Sequence, residues 1–389
     1  MLTVLTLLTS LAASAALSPD DAVRAALIRD PALVSRVADV DAAAGVRREN
    51  LLFRSNPEVD LSRTTDGSRI TGTIVQPLSL TGEGFNALRS AGARLDAARA
   101  LAERGRYETA AVTRRAYARA VLAREVLRFA DEDRVLLARL RGVAELRLKA
   151  GEGVDLDLRL ARLEEARALA GWLEADSEAA AADAELAALI GASPGELAHD
   201  PLVAGPAAPG EATPRSDLVA ATASTRAARA ALARERSAIF PAIGLGAFYE
   251  KAAGAEIYGP SIAFQIPIWS WNQSGRGAAR GDLRRAMAVE ASTVARATVE
   301  ELRAAARLKV AEESLAGLPA DIAAEATPAT KAIEGLYASG QSNLSDTLLM
   351  RARVVGGQRA WMEARAAVAN ARIDVALTQQ SRSLLPTGQ

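Results

Sequence analysis

The sequence contains no cysteine and a single histidine, His199. Without cysteine there is no disulfide, no thiolate metal ligand, no cysteine nucleophile and no lipidated N-terminal cysteine. His199 lies in a stretch rich in Pro and Gly, and we interpret it as an ordinary loop residue. One histidine cannot form a histidine-based metal or catalytic cluster within the chain. We therefore predict no cofactor, no metal site and no enzyme activity.

Aromatic residues make up only 4% of the chain, and the 47 basic residues equal the 47 acidic ones. Zero net charge gives no indication of a nucleic-acid or other polyanionic partner. After the N-terminal segment no run reaches about 18 uninterrupted apolar residues, so we predict no membrane-spanning helix. Hydrophobic residues still account for 50% of the chain, much of it alanine, and this composition favours long helices over a bulky globular core.

The N-terminal segment 1–16 is apolar and ends in Ala-Ser-Ala-Ala. This ending is typical of a secretory signal peptide cleaved after Ala16, although the usual basic start is missing. The alternative interpretation is a frayed N-terminal helix. An exported chain without a spanning helix is periplasmic, secreted or part of an outer-membrane β-barrel.

One element occurs twice, about 190 residues apart. A helical pattern ends at Gly151, and Asp157 follows six residues later. A second helical pattern ends at Gly340, and Asp346 follows it by the same number of residues. Glycine suits a sharp reversal of the chain because it accepts positive φ. We interpret the chain as two like halves, each with a turn between helices.

The pattern predicts a signal peptide, two repeats, a linker and a tail. The first repeat, 17–190, contains a short helix, a helix over 31–55, a β-hairpin over 58–78, a long helix over 84–149 and a helix over 154–190. The linker, 191–214, is rich in Pro, Gly and Ala. The second repeat, 215–380, contains a helix over 215–240, a β-hairpin over 242–268, a long helix over 276–338 that Pro319 and Pro328 kink or interrupt, and a helix over 343–380; a tail covers 381–389.

Apolar positions in the long helix 84–149 alternate by four and three residues, which is the spacing of a coiled coil. This seam is formed by Leu122, Val126, Phe129, Asp133, Leu136, Leu140 and Val143. Asp133 is its one charged position. At about 1.5 Å per residue the helix would be roughly 100 Å long, which indicates antiparallel helical rods and not a compact domain.

Each predicted hairpin has strands near ten residues long with one apolar and one polar face. In lipid the edge groups of four such strands would lack hydrogen-bond partners, and known closed barrels begin at about eight strands. Two chains would supply eight strands and three would supply twelve. The alternative is a small soluble four-stranded sheet that caps a helical bundle.

Seven short features keep a fixed order along the chain. They are the opening Leu17-Ser-Pro-Asp-Asp-Ala-Val23, Asn56-Pro57, Gln76-Pro77-Leu78, the turn at Gly151, Arg215-Ser-Asp217-Leu, Ile266-Pro267-Ile268 and the turn at Gly340. With this ordered set, the sequence resembles the TolC family of outer-membrane efflux channels over almost the whole mature chain.

The resemblance implies a homotrimer in the outer membrane, extending into the periplasm. Each chain would give four strands to a twelve-stranded transmembrane β-barrel and its helical rods to an α-barrel. It also implies a passive exit duct in contact with outer-membrane lipid, opened by a periplasmic adaptor protein and driven by an inner-membrane pump. The cargo stays open between metal ions, drugs and proteins. The alternative is a periplasmic coiled-coil adaptor or a helical scaffold protein.

The resemblance further assigns a gate. Tyr337 matches the family's gating tyrosine, Asp157 its acidic partner, and Asp346 an aspartate that forms a ring at the entrance. Two positions depart from the family: Ser342 replaces a gating arginine and Leu349 a second aspartate. The alternative role of Asp157 and Asp346 is to cap the helices that they begin.

Two further sets of residues complete the predicted sites. Adaptor docking is assigned by the resemblance to Gly151, Gly153, Gly340, Gln341 and Ser342. The alternative for the glycines is that they only turn the chain. An aromatic girdle at the membrane interface is predicted at Tyr249, Tyr258, Trp269 and Trp271, which follow or end the strands.

Overall fold

The computed structural model describes residues 16–49, 56–65, 69–78, 82–206, 213–238, 243–252, 254–264, 271–319 and 321–386. The predicted signal peptide, apart from Ala16, lies outside these ranges. So do Trp269, the motif Ile266-Pro267-Ile268 and Asp66-Gly67, a dipeptide typical of a hairpin turn that lies between the strands of the predicted hairpin 58–78.

The described residues form eight α-helices, four strands and two short 3-10 helices, Pro201–Ala204 and Arg382–Leu384. The helices are α1 Pro19–Arg29, α2 Pro31–Glu49, α3 Gly82–Lys149, α4 Asp155–Ile190, α5 Ser216–Ser237, α6 Gln273–Ala316, α7 Ile322–Ala338 and α8 Leu344–Thr378. The strands are β1 Glu58–Arg63, β2 Arg69–Leu78, β3 Ile243–Ala252 and β4 Ala255–Phe264. The prediction of a mainly helical chain with a small antiparallel β part is confirmed. No helix of the described residues carries an apolar stretch long enough to cross a bilayer.

The chain divides into two compact units. The helical unit comprises Met1–Asp30, Arg106–Thr213 and Val299–Gln389, and the sheet unit comprises Pro31–Gly105 and Pro214–Thr298. Each unit takes segments from both halves of the sequence. The compact units therefore cut across the two sequence repeats.

The predicted long helix 276–338 is two helices, α6 and α7. The helix ends where Gly317 and Leu318 donate their last backbone hydrogen bonds to Glu313 and Leu315. Pro319 follows, and a proline disfavours helical backbone in the residue before it. Pro328 lies inside α7, so only Pro319 coincides with a break.

The core of the helical unit is built mainly from alanine. Ala110, Ala118 and Ala120 of α3 are fully buried. A methyl side chain lets helices approach closely, which replaces the bulky aromatic core that the composition excludes. The residues after α8 belong to this core, since Ser381 and Leu384 are fully buried. The segment predicted as a tail is thus packed as far as it is described.

Two buried polar side chains of α3 fasten the linker and the chain ends. Arg114 donates to the carbonyl oxygens of Leu384 and Ala204, at 3.0 and 3.1 Å, and pairs with Asp20 at 2.5 Å. The Tyr117 hydroxyl donates to the Leu17 carbonyl oxygen at 2.7 Å. Burial raises the pKa of the Tyr117 phenol. These bonds satisfy backbone carbonyl groups of segments outside the α-helices.

The sheet unit contains one antiparallel sheet with the strand order β1-β2-β3-β4. β2 and β3 pair along their full ten residues, from Arg69 opposite Ala252 to Leu78 opposite Ile243. β1 and β4 are the edge strands, and each has one side without a neighbouring strand among the described residues.

Candidate functional site

The two glycine turns of the helical unit have the same backbone geometry. Gly151 and Gly340 adopt φ of 77° and 75°, the left-handed region that favours glycine. Each glycine donates to the carbonyl oxygen three residues earlier, and the next residue donates to the carbonyl oxygen five residues earlier. This is the Schellman arrangement of a helix C-terminus. We call α3, this turn and α4 the first helical hairpin, and α7, its turn and α8 the second.

The two turns differ two residues after each glycine. At Gly153 an added Cβ would stand 2.8 Å from the backbone nitrogen of Leu148, so no side chain fits without a backbone shift. The equivalent position of the second turn holds Ser342, whose hydroxyl lies 3.0 Å from that of Thr347. Of the predicted docking residues, Gly151, Gly340 and Gln341 are exposed and Gly153 and Ser342 are half-buried.

The predicted gate aspartates occupy the third position of the helices that follow the turns. Asn343 caps α8 by accepting from the Asp346 backbone nitrogen at 2.8 Å, and its side-chain amide donates to the Asp346 carboxylate at 2.8 Å. Asn343 is therefore the cap of α8, and the exposed Asp346 carboxylate accepts from the capping side chain. Asp157 stands at the matching place in α4, where its backbone nitrogen donates to Val154.

The third predicted gate residue, Tyr337, is enclosed by both hairpins. Only 1% of its surface is exposed. Its neighbours form the hairpin core, which consists of Leu136, Leu137, Leu140, Ala144, Leu158, Ala161, Ala168, Tyr337 and Leu344. Burial raises the pKa of the Tyr337 phenol; the charge of Asp157 raises it further, and Arg147 opposes them. The hydroxyl makes no hydrogen bond to Asp157 in the described part of the chain.

Arg147 joins the two hairpins at this place, and the sequence analysis did not single it out. Its guanidinium carbon lies 5.4 Å from the centroid of the Tyr337 ring. Its Nη1 donates to the carbonyl oxygen of the same residue at 3.4 Å. A nearby link, Arg139 to Glu334 at 3.3 Å, has side chains that are 61% and 29% exposed. Exposed pairs of this kind contribute about 0–1 kcal/mol.

A buried ion pair connects the hairpins further along the seam. Arg351 of α8 forms a two-bond pair with Asp133, and the two side chains are only 14% and 9% exposed. Its Nη1 also lies 3.4 Å from a carboxylate oxygen of Glu164. Burial opposes the charge of Arg351, but its bonds to Asp133 and Glu164 outweigh this and raise its pKa. Asp133 is the charged position in the predicted coiled-coil seam. Its carboxylate is tolerated there because Arg351 pairs with it.

The sheet register separates an apolar face from a polar one. The apolar face runs from the pair Tyr249–Tyr258 to the pair Ile243–Phe264. Its apolar members are Val59, Leu61, Ile70, Gly72, Ile74, Leu78, Ile243, Leu245, Ala247, Tyr249, Tyr258, Pro260, Ile262 and Phe264. The same face also carries Gln76 opposite Leu245 and, on the turn side of the tyrosine pair, Arg63, Lys251 and Glu256. Tyr258 is 82% exposed and Leu61 78%. A contiguous exposed apolar face of this kind marks an interaction surface or a lipid contact.

The opposite face of the sheet, called the polar face, carries charged and hydroxyl side chains, together with Phe248 opposite Thr73 and Ile257 opposite Glu250. Asp60 lies opposite Thr73, and Ser62 lies opposite Thr71 with 2.6 Å between the hydroxyl oxygens. Arg69 pairs with Glu250 at 3.1 Å. The alternation predicted for the strands thus corresponds to two chemically different faces.

Of the predicted girdle residues, the structure places Tyr249 and Tyr258 on the apolar face. Tyr249 and Tyr258 face each other across β3 and β4, three residues from the turn that joins the strands. Trp271 follows the other end of the hairpin and is half-exposed. Trp269 lies outside the described residues.

His199 and the remaining acidic residues do not form a metal centre in the described ranges. The imidazole Nδ1 lies 2.6 Å from a carboxylate oxygen of Glu125, which also pairs with Arg128 at 2.7 Å. His199 itself is mostly exposed. It lies in the linker as predicted, and it fastens the linker to α3.

Comparison with solved structures gives one consistent result. The chain is similar to CusC, described as undergoing transmembrane channel formation, with 16% identity, 95% of each chain covered and a TM-score of 0.77. It is similar to the Neisseria gonorrhoeae MtrE outer membrane channel, with 20% identity, 95% and 90% coverage and a TM-score of 0.75. It is also similar to the Campylobacter jejuni CmeC outer membrane channel, with 16% identity, 95% of this chain and 87% of that chain covered, and a TM-score of 0.73.

The chain has the fold of these outer-membrane channels. At 16–20% identity the likeness establishes the outer-membrane channel fold and not the activity. No family model matches the sequence, and no curated protein matches it either. The outer-membrane channel fold therefore rests on structure, and function is argued from the site.

Proposed function

We propose that this chain is one protomer of a homotrimeric exit duct in the bacterial outer membrane. The observation that carries the proposal is the exposed apolar sheet face, with tyrosines near one end, together with the two strand edges that have no neighbouring strand in the described ranges. In lipid, backbone groups at such edges need partners, because no water is present to satisfy them. Sister copies supply these partners when three sheets close into a barrel of twelve strands.

The neighbours support this reading through their described roles. MtrE and CmeC are described as outer membrane channels, and CusC as forming a transmembrane channel. By this likeness we infer a passive channel in an efflux system, and not an enzyme. The proposal includes a periplasmic adaptor and an inner-membrane pump as partners, and the pump supplies the energy.

The gate in this proposal is formed at the two glycine turns. Tyr337 and Asp157 belong to the contact between the hairpins, and Asp346 contributes one carboxylate from each of three chains to a negative constriction. Such a constriction attracts cations. The duct therefore conducts cations preferentially when it opens.

Conductance in planar lipid bilayers tests the proposal directly. Purified protein produces discrete channels with cation selectivity, and the Asp346→Asn variant produces channels with weaker selectivity. Asp21→Asn is the matched control, because Asp21 is an exposed aspartate near the start of α1. Absence of channels would contradict the duct. Unchanged selectivity in Asp346→Asn would remove this residue from the constriction.

The proposed adaptor surface needs a separate test. Gln341 is exposed, so a bulky Gln341→Trp substitution leaves the fold intact and obstructs docking. Cells with this variant lose export while the purified protein still forms channels. Lys309→Trp, at a side chain that is 77% exposed, keeps export normal. Normal export in Gln341→Trp would exclude Gln341 from the docking surface.

A further inference from the structure

Arg147 reaches from the first helical hairpin to three parts of the second turn. Its guanidinium lies against the Tyr337 ring and donates to the Tyr337 carbonyl oxygen. Its Nη2 also stands 3.7 Å from the place that a Cβ on Gly340 would take. One cation therefore contacts the ring, the backbone and the flank of the turn.

The two hairpins cannot exchange roles in this contact. Four residues before its glycine, the first hairpin has Arg147 and the second has Leu336. Three residues before, the first has Leu148 and the second has Tyr337. The cation comes only from one hairpin and the ring only from the other, so the contact ties the hairpins together instead of stabilising either one alone.

The other cross-hairpin contacts near the turns are weaker candidates for this role. Asp157 influences Tyr337 by its charge but makes no hydrogen bond to its hydroxyl in the described structure. Ser342 carries no charge, and its hydroxyl is directed within its own hairpin, to Asn343 and Thr347. Arg139 is 61% exposed and Glu334 29%, so their pair contributes little. Arg147 is half-buried beside a nearly fully buried ring, where a cation–π contact contributes more than in water.

We propose that Arg147 is the latch that fastens the second glycine turn to the first hairpin and keeps the channel closed. This inference rests on the proposed duct for its effect on conduction, but the fastening itself does not depend on it. Release of Arg147 leaves the Tyr337 carbonyl oxygen with only its backbone bond from Gly340 among the described residues, and the second hairpin then moves away from α3. Arg351 and Asp133 stay paired, because they are buried deeper along the seam.

Amide hydrogen exchange measures the fastening without reference to conduction. Gly340, Gln341 and Ser342 donate to Tyr337 and Leu336 within the turn, so their exchange reports its opening. In Arg147→Gln this peptide exchanges roughly five-fold faster, the factor expected for loss of a partly buried cation–π contact. Arg147→Lys retains a cation, so its exchange rate lies between those of wild type and Arg147→Gln.

Arg159→Gln is the matched control for the loss of one positive charge near the turns. Arg159 lies in α4 of the same hairpin, is 73% exposed and pairs only with Asp155 of its own helix at 2.6 Å. Exchange of the second turn stays at the wild-type rate in this variant. Equal exchange in Arg147→Gln and Arg159→Gln would overturn the latch.

Bilayer recordings on the same proteins test the consequence for the channel. Arg147→Gln channels open more often or conduct more than wild type without any adaptor, and Arg159→Gln channels do not. If wild type forms channels and Arg147→Gln gates identically, the latch is not the closing element. If wild type forms no channels, the proposed duct fails, and hydrogen exchange alone then decides whether Arg147 fastens the turn.

Discussion

Placing a positive charge on the apolar sheet face distinguishes two hypotheses: that this face contacts lipid, and that the sheet is soluble and caps a helical bundle. Ile74 lies near the middle of β2, on the apolar face between Val59 and Ala247. Its neighbour Thr73 lies on the polar face, opposite Asp60. The substitutions Ile74→Arg and Thr73→Arg therefore put the same group one residue apart on opposite faces.

The expected magnitude follows from the depth of the site in a bilayer. An arginine on the lipid face of a β-barrel costs about 2–4 kcal/mol at the midplane. A trimer carries three copies, so Ile74→Arg lowers the free energy of unfolding by roughly 6–12 kcal/mol per assembly. Thr73→Arg is expected to change it by less than about 1 kcal/mol, because its charge stays in water beside the Asp60 carboxylate.

Denaturant unfolding in lipid vesicles, followed by tryptophan fluorescence, measures both variants. The reasoning predicts a large drop in the midpoint for Ile74→Arg and a midpoint close to wild type for Thr73→Arg. Equal midpoints for the two variants would refute it, because opposite faces of a membrane sheet cannot have the same environment.

Three further predictions concern the helical unit. Gly153→Ala lowers the free energy of unfolding in thermal melts by about 1–3 kcal/mol, because its Cβ would collide with the backbone of Leu148. Gly142→Ala, in open space within α3, raises it by up to about 1 kcal/mol. Equal shifts for the two variants would contradict the close approach at Gly153. Arg351→Met leaves Asp133 buried without its partner and costs about 3–5 kcal/mol in chemical unfolding, and a wild-type midpoint would show that the pair contributes nothing. The pKa of Tyr337 is raised in the folded chain, so the stability that its protonated phenol contributes is complete below the ordinary tyrosine pKa and is lost as pH rises above it. Over an alkaline titration, Tyr337→Phe therefore loses less free energy of unfolding than wild type does. Parallel curves of unfolding free energy against pH would contradict this.

The features of this fold that follow from local sequence patterns, the glycine turns and the strands, can be predicted from the sequence. Gly151 and Gly340 could be predicted as turns because only glycine accepts the required φ at low cost. The strands could be predicted because alternation fixes which residues share a face. The order in which the strands pair, and the division into two units, depend on contacts between distant segments. No local pattern contains that information.

The contact around Tyr337 was only half visible in the sequence. Tyr337 and Asp157 were found through a family resemblance, which also expected a cation two residues after Gly340. Arg147 supplies a cation from the other hairpin, and its reach depends on how α3 packs against α7. The charged position Asp133 was a usable signal, because a charge in an apolar seam requires a partner. Which of the many arginines is that partner, Arg351, only the packing decides.

The mass of the assembly in detergent tests the central claim most directly. If the free edges of β1 and β4 pair only between copies, light scattering with the detergent contribution subtracted gives the mass of three chains. Substituting prolines into both edge strands then dissociates the assembly, because proline cannot donate to a strand ladder. A monodisperse single chain in detergent-free buffer, with its sheet intact, would contradict the account.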